Sequence, residues 1–128
     1  MLSLSPAVRI YLASEPVDMR KGFDGLTAIV ENTLEEDVYS GNLFVFVSKR
    51  GDRVKVIYWD RGGFILFYKR LERGKFKLPK VGEACVSLEL ESAQLAMLLE
   101  GIDYSRVRTP IRWEPKKIMR SADPGSTT

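Results

Sequence analysis

Histidine is absent from this 128-residue chain, and cysteine occurs once, at Cys85. Without imidazole there is no Ser-His or Cys-His nucleophile pair and no histidine proton shuttle. A lone thiol allows no intrachain disulfide, which fits a reducing cytoplasm. One Cys and scattered carboxylates make a poor zinc set. No apolar run approaches the ~18–20 residues that span a bilayer. The start, Met1-Leu2-Ser3-Leu4-Ser5-Pro6, lacks a basic segment followed by a long apolar one, so no secretory signal is expected. There is no internal repeat and no clustered acidic motif. No cofactor, metal or membrane partner is expected, and localisation is expected to be cytoplasmic.

What is present is a strong charge asymmetry. The formal net charge is +3. Residues 42–80 hold eleven bases against three acids, residues 1–41 three bases against seven acids, and residues 81–103 five acids and no base. A concentrated basic block suits a polyanion such as DNA or RNA, although mixed charge also covers ordinary protein surfaces.

The length suits one domain with one core. Val8 to Ala13 alternates and predicts a strand. Asp18 is a candidate N-cap, and Phe23, Leu26, Ile29, Val30 and Leu34 predict the apolar face of a helix near residues 19–35; Gly22 and Gly25 weaken its first turns, so either they let it pack closely on a sheet or the helix starts at Asp24. Leu43 to Val47 is apolar on both faces, as a central strand is. Val54–Trp59 and Phe64–Lys69 predict two further strands, joined by a tight turn over Arg61-Gly62-Gly63. Val86 to Leu90 predicts a short strand. A second helix near 92–100, capped by Ser92 and ended by Gly101, follows. The expected fold is α+β: a twisted antiparallel sheet with a central three-stranded meander over 43–70, one helix packed on it and a C-terminal helix. Residues 1–103 form the single domain in this reading, and 104–128 a basic, proline-containing, largely disordered tail.

The meander interleaves aromatics with bases. Antiparallel pairing with an even turn places Lys55, Ile57, Trp59, Phe64, Leu66, Tyr68 and Arg70 on one face, and Val56, Tyr58, Ile65, Phe67 and Lys69 on the other. Two helices do not easily cover two apolar faces, so one is expected to stay partly open, with aromatics for stacking and bases for phosphates. Core burial of the aromatics, with bases at the rim, is the competing and favoured reading for the rings. The candidate nucleic-acid-binding residues are Arg53, Lys55, Arg61, Lys69, Arg70, Arg73, Lys75 and Trp59.

Named motifs mostly fail. Arg61 to Phe67 has Gly and Phe in the wrong order for an RRM octamer. The Gly22-Phe23-Asp24-Gly25 loop lacks the preceding helix of a KH domain. Arg50-Gly51-Asp52 is a chance integrin-type triplet. Asp18, Asp24, Asp60 and Glu72 occupy expected caps and turns rather than a two-metal cluster. No catalytic residue is assigned, and the chain is expected not to be an enzyme.

Four blocks, in order, carry a resemblance. They are Val17-Asp18-Met19-Arg20-Lys21-Gly22-Phe23-Asp24-Gly25-Leu26, Ser40 to Phe46, Lys55 to Phe64 (with Tyr58-Trp59-Asp60), and Tyr68-Lys69-Arg70-Leu71-Glu72-Arg73-Gly74-Lys75-Phe76. Together they resemble the TnpB-type accessory proteins, encoded by the second reading frame, of the IS-sixty-six group of bacterial insertion sequences. Val38-Tyr39 and Leu78-Pro79 depart from the family's usual Pro-Phe and Trp-Pro. The resemblance implies a protein that works beside a separate, element-encoded transposase and has no chemistry of its own. Taken with the basic block over 42–80, this points to non-catalytic assistance in DNA transposition through DNA binding, expected to be weak and largely sequence-independent because phosphate contacts carry no base identity. The alternative is a subunit that docks on the transposase without touching DNA. Oligomeric state is not legible.

Overall fold

The structure, a computed structural model, describes residues 7–79 and 84–101. The expected tail over 104–128 lies outside the described residues. Seven elements follow in order: β1 (Ile10–Ala13), α1 (Phe23–Asn32), β2 (Leu43–Val47), β3 (Arg53–Asp60), β4 (Gly63–Arg70), β5 (Ser87–Leu90) and α2 (Ser92–Leu99). The five strands form one sheet in the order β4-β3-β2-β1-β5.

The α+β architecture and the antiparallel meander β2-β3-β4 are as the sequence predicts. One pairing is not antiparallel: β1 runs parallel to β2, with Ile10 beside Leu43. The chain leaves β1, crosses over through α1 and re-enters the sheet alongside it, and such a crossover returns a strand in the same direction. Arg61 (φ 40°) and Gly62 (φ 93°) form the two-residue turn between β3 and β4. Two positive φ values match the right-handed twist of the hairpin and fix its register, with Trp59 opposite Phe64 and Lys55 opposite Tyr68.

The sheet is covered on both faces. On one, Leu26 and Val30 of α1 join Leu34, Val38, Phe44, Phe46 and Ile57 in a buried cluster. On the other, Leu95 and Leu98 of α2 join Ile10, Leu12, Val45, Val54, Val56 and Phe76. Central β2 is buried along its whole length. The expected partial opening is confined to β4, where Ile65 and Tyr68 are exposed.

Both helices are capped otherwise than the sequence suggests. α1 starts at Phe23 with Gly22 as N-cap. Asp18 does not cap it. Its carboxylate accepts the Arg20 backbone N–H at 2.9 Å and the Arg20 guanidinium at 2.7 Å. The Met19 and Lys21 carbonyls bond to Lys55, which draws residues 19–22 out of the helix. Phe23, expected on the buried face, is exposed. α2 is capped by Glu91 in a reciprocal capping box with Gln94, not by Ser92. Gly101, at φ 76°, follows α2 as expected.

Candidate nucleic-acid interface

The hairpins return the chain from one end of the sheet to the other, so successive turns alternate between two ends. The β2–β3 turn (Lys49 to Asp52), the start of β3 and the end of β4 lie together, with Arg53 directly opposite Arg70. The segment after β4 folds back onto the same end: the Leu71 N–H donates to the Asp52 carbonyl at 2.8 Å and the Phe76 N–H to the Gly51 carbonyl at 2.8 Å. Gly51 sits at φ 82°, and a Cβ there would lie 3.4 Å from the Lys75 side chain. Glycine therefore lets this turn pass beneath Lys75.

The loop between β1 and α1 closes this end. The Val17 N–H donates to the Val47 carbonyl at 3.1 Å. From β3, the Lys55 ammonium donates to the carbonyls of Met19 and Lys21, both at 2.8 Å. It lies 4.6 Å from the centre of the Tyr68 ring. Lys55 is 6% exposed. A buried ammonium is tolerable only when its donors are engaged, and two carbonyls and an aromatic face engage it here. Lys55 thus acts as a pin that holds the Asp18–Gly22 loop on the sheet. Asp18 is held at about 2, chiefly by its side-chain hydrogen bond to Arg20 and then by the Arg20 backbone N–H. The Arg20 guanidinium is raised correspondingly.

A cleft of about 740 Å³ opens between this loop and the β2–β3 turn. Pro16, Val17 and Met19 give it an apolar wall, and Arg20, Lys49, Arg50 and Arg53 stand with Glu15, Asp18 and Asp52 around it. Among the described residues, Lys21, Lys49, Arg50, Arg73, Lys75 and Lys77 are exposed and make no ion pair or side-chain hydrogen bond. These bases share the end just described.

The sequence-predicted set is thereby divided. Arg73 and Lys75 stand free on this end. Arg53 lies 3.5 Å from the Tyr68 hydroxyl, and Arg70 pairs with Glu72 at 3.1 Å; both remain at the surface of the same end. Lys55 is spent inside. The Lys69 ammonium donates to the Leu99 carbonyl at 2.6 Å, closing the C-terminus of α2, so it too has an internal partner. Arg61 projects from the opposite end, its side chain 91% exposed and 3.7 Å from Asp60. Lys21, Lys49, Arg50 and Lys77 were not among the candidates. The signal that finds them is position: each lies in a loop or turn, where no ladder or core claims the side chain.

The opposite end is acidic. Glu31, Glu35, Glu36 and Asp37 close α1 and the loop after it, and that loop brings Tyr39 against the β3–β4 hairpin. Trp59 is half-buried there, edge-on to Tyr39 and Phe64 with centroids 5.1 Å away in each case. Its ring is spent on protein contacts, at the end remote from the free bases. Tyr58, on the other face, has its phenol pushed up by burial and then by Asp60.

Several of the remaining signature residues shape the fold. Gly22 caps α1, Asp24 sits in its first turn, and Gly25 approaches the Lys21 side chain. Leu71 and Phe76 pack on the α2 side of the sheet, and Gly74 (φ 75°) turns the chain between them. No group of three or more metal-ligating side chains occurs among the described residues, and Cys85 is exposed. No helix among them is long and apolar enough to cross a membrane.

The family model described as "IS66 Orf2 like protein" matches residues 8–109. Two proteins of Sinorhizobium fredii (strain NBRC 101917 / NGR234) are similar along nearly their whole length. The uncharacterized protein y4jC is 42% identical over 119 residues, covering 92% of this chain and 99% of its own. The uncharacterized protein y4hO is 38% identical over 118 residues, with the same coverage. No solved structure matches.

Proposed function

The chain belongs to the family of IS66 Orf2-like proteins, and from that premise we propose that it assists transposition by holding the DNA backbone against its basic end. A role accessory to transposition follows from the family; the DNA contact is the inference. The observation that carries it is the gathering of Lys21, Lys49, Arg50, Arg73, Lys75 and Lys77 on one end of the sheet, all exposed and with side chains that make no ion pair or hydrogen bond among the described residues. Unpaired surface ammonium and guanidinium groups keep their full attraction for phosphate, and each phosphate neutralised releases counterions. The acidic end would be repelled by the same polyanion, so the charge distribution orients the molecule as well as binding it. Phosphate contacts carry no base identity, and binding by the protein alone is expected to be weak and largely sequence-independent.

The test is the salt dependence of binding to duplex DNA. Four or five phosphate contacts give a slope of log K against log salt of roughly −4. A flat dependence, or no binding at low salt, would favour the second reading, docking on the element's transposase without DNA contact. Phe23 and Tyr39, 46% and 59% exposed, are the features that favour docking. A gel shift with element-end DNA, with and without the transposase, separates the two: a shift only when the transposase is present supports docking.

A further inference from the structure

We propose that β4 is a self-association edge: two copies of this chain pair their β4 strands antiparallel about a two-fold axis, joining two five-stranded sheets into one. β4 lies at one margin of the sheet, runs for eight residues, and pairs on one side only among the described residues. The two-residue turn makes Asp60 and Gly63 the hydrogen-bonded closing pair, and the ladder alternates from there. The backbone N–H and C=O groups of Phe64, Leu66, Tyr68 and Arg70 therefore point away from β3. A row of such groups is a template for another strand. The devices that usually blunt an edge are missing from its middle: there is no proline, bulge or charge between Gly63 and Tyr68, and Ile65 and Tyr68 are 39% and 49% exposed. The other margin, β5, is only four residues long and carries the charged Glu89, paired with Arg9.

Charge selects the occupant. β4 runs from the acidic end of the molecule to the basic end. A second copy aligned antiparallel sets each basic end beside the other's acidic end. Lys69 and Arg70 of one copy then lie near the β3–β4 turn of the other, where Asp60 faces its own Arg61, and near the acidic loop that seats Tyr39 on that hairpin. A parallel pair would instead stack Lys69 on Lys69 and Arg70 on Arg70, and like charges side by side are unfavourable. Such an interface is isologous and closes at two copies. Contact along a single eight-residue edge is small beside the ~800 Å² per partner of a standard interface, so the association is weak and sensitive to salt. The assembly carries one basic end at each pole.

The experiment is sedimentation of the full chain at about 100 µM, where a micromolar constant is readily seen, together with amide hydrogen exchange. The expected result is a monomer–dimer equilibrium whose dissociation constant rises about tenfold or more between roughly 50 and 500 mM salt, as the screening length shrinks. The amides of Leu66 and Tyr68 should be protected at high concentration and lose protection on dilution. Ile65→Lys, a charge on the exposed side chain beside the second copy's Phe67 or Lys69, should give a monomer with an unchanged circular dichroism spectrum. A monomer at low salt and 100 µM would overturn the proposal, as would a dimer that survives Ile65→Lys or leaves the Leu66 and Tyr68 amides unprotected. DNA binding plays no part in these readouts, so they stand or fall apart from the basic-end reading.

Discussion

The two ends of the sheet are built from the same hairpins and differ in what their charges do. At the basic end, Lys55 and Lys69 are consumed by backbone carbonyls, Arg20 and Arg70 by carboxylates, and a remainder of bases around the β2–β3 turn and the 72–77 segment is left in water. At the acidic end, Glu31, Glu35, Glu36 and Asp37 lie at the end of α1 and in the loop whose Tyr39 meets a hairpin tip whose single arginine stands almost fully exposed. The comparison separates two uses of a cation that composition cannot tell apart. Lys55 and Lys75 are both lysines of the same basic block, yet one is a structural pin and the other a free charge.

The largest effect should come from the pin. Lys55→Met keeps the aliphatic stem and strands the Met19 and Lys21 carbonyls, so it should cost about 2–4 kcal/mol in urea unfolding. It should loosen the Asp18–Gly22 loop, visible as faster amide exchange there. Full retention of stability would show that the buried ammonium is dispensable.

Next is the free set. Arg50→Ala with Lys75→Ala should reduce the salt slope of DNA binding by about 2 and weaken all sequences alike, with stability within ~0.5 kcal/mol of the parent. Arg61→Ala, at the other end, is the control: slope and stability should both stay put. If Arg61→Ala flattens the slope as much as the double variant, the two-ended picture is wrong.

Lys69→Met removes a charge-assisted bond to the Leu99 carbonyl at the C-terminus of α2. A loss of about 1–2 kcal/mol is expected, confined to the α2 side of the sheet. The DNA salt slope should not change.

The smallest effect is that of pH on the Asp18–Arg20 pair. The Asp18 carboxyl is depressed in the folded chain from 3.8 to about 2. The unfolded chain therefore binds its proton more readily, so stability rises with pH across that window. The contribution is complete above the ordinary carboxylate value and lost as pH falls through about 2. The pair is exposed, and the effect is modest. Following the Asp18 carboxyl by NMR should give a midpoint near 2, and Asp18→Asn should remove this part of the acid-side slope. A midpoint at the ordinary value would dissolve the pair.

Much of the fold is legible in the chain because its signals are local. Leu43–Val47 is apolar on both faces and is central; the Arg61-Gly62 turn demands positive φ and receives it; Leu26 and Val30 recur at helical spacing and are buried. The direction of β1 relative to β2 was not legible, because it depends on where α1 delivers the chain rather than on β1 itself. The start of α1 is decided by a similar long-range contact. Asp18 is a good cap by type, but the carbonyls that a longer helix would use are bound by a lysine 34 and 36 residues away.

The candidate site shows the same division. The sequence by itself determined the number of bases, their concentration in residues 42–80, the strands and turns that carry them, and the family blocks, since each of these is a property of neighbours along the chain. Tertiary structure alone decided which of those bases meet water. Along a strand, side chains alternate with a period of two, so Lys55 shares a face with Ile57 and Tyr68 whatever surrounds it. Whether that face is open or roofed by the Asp18–Gly22 loop depends on a contact between distant segments. Likewise, hairpin reversal sends the turn at Arg61 to one end and the turn at Arg50 to the other, and so a single basic run in the sequence becomes a molecule with oppositely charged ends.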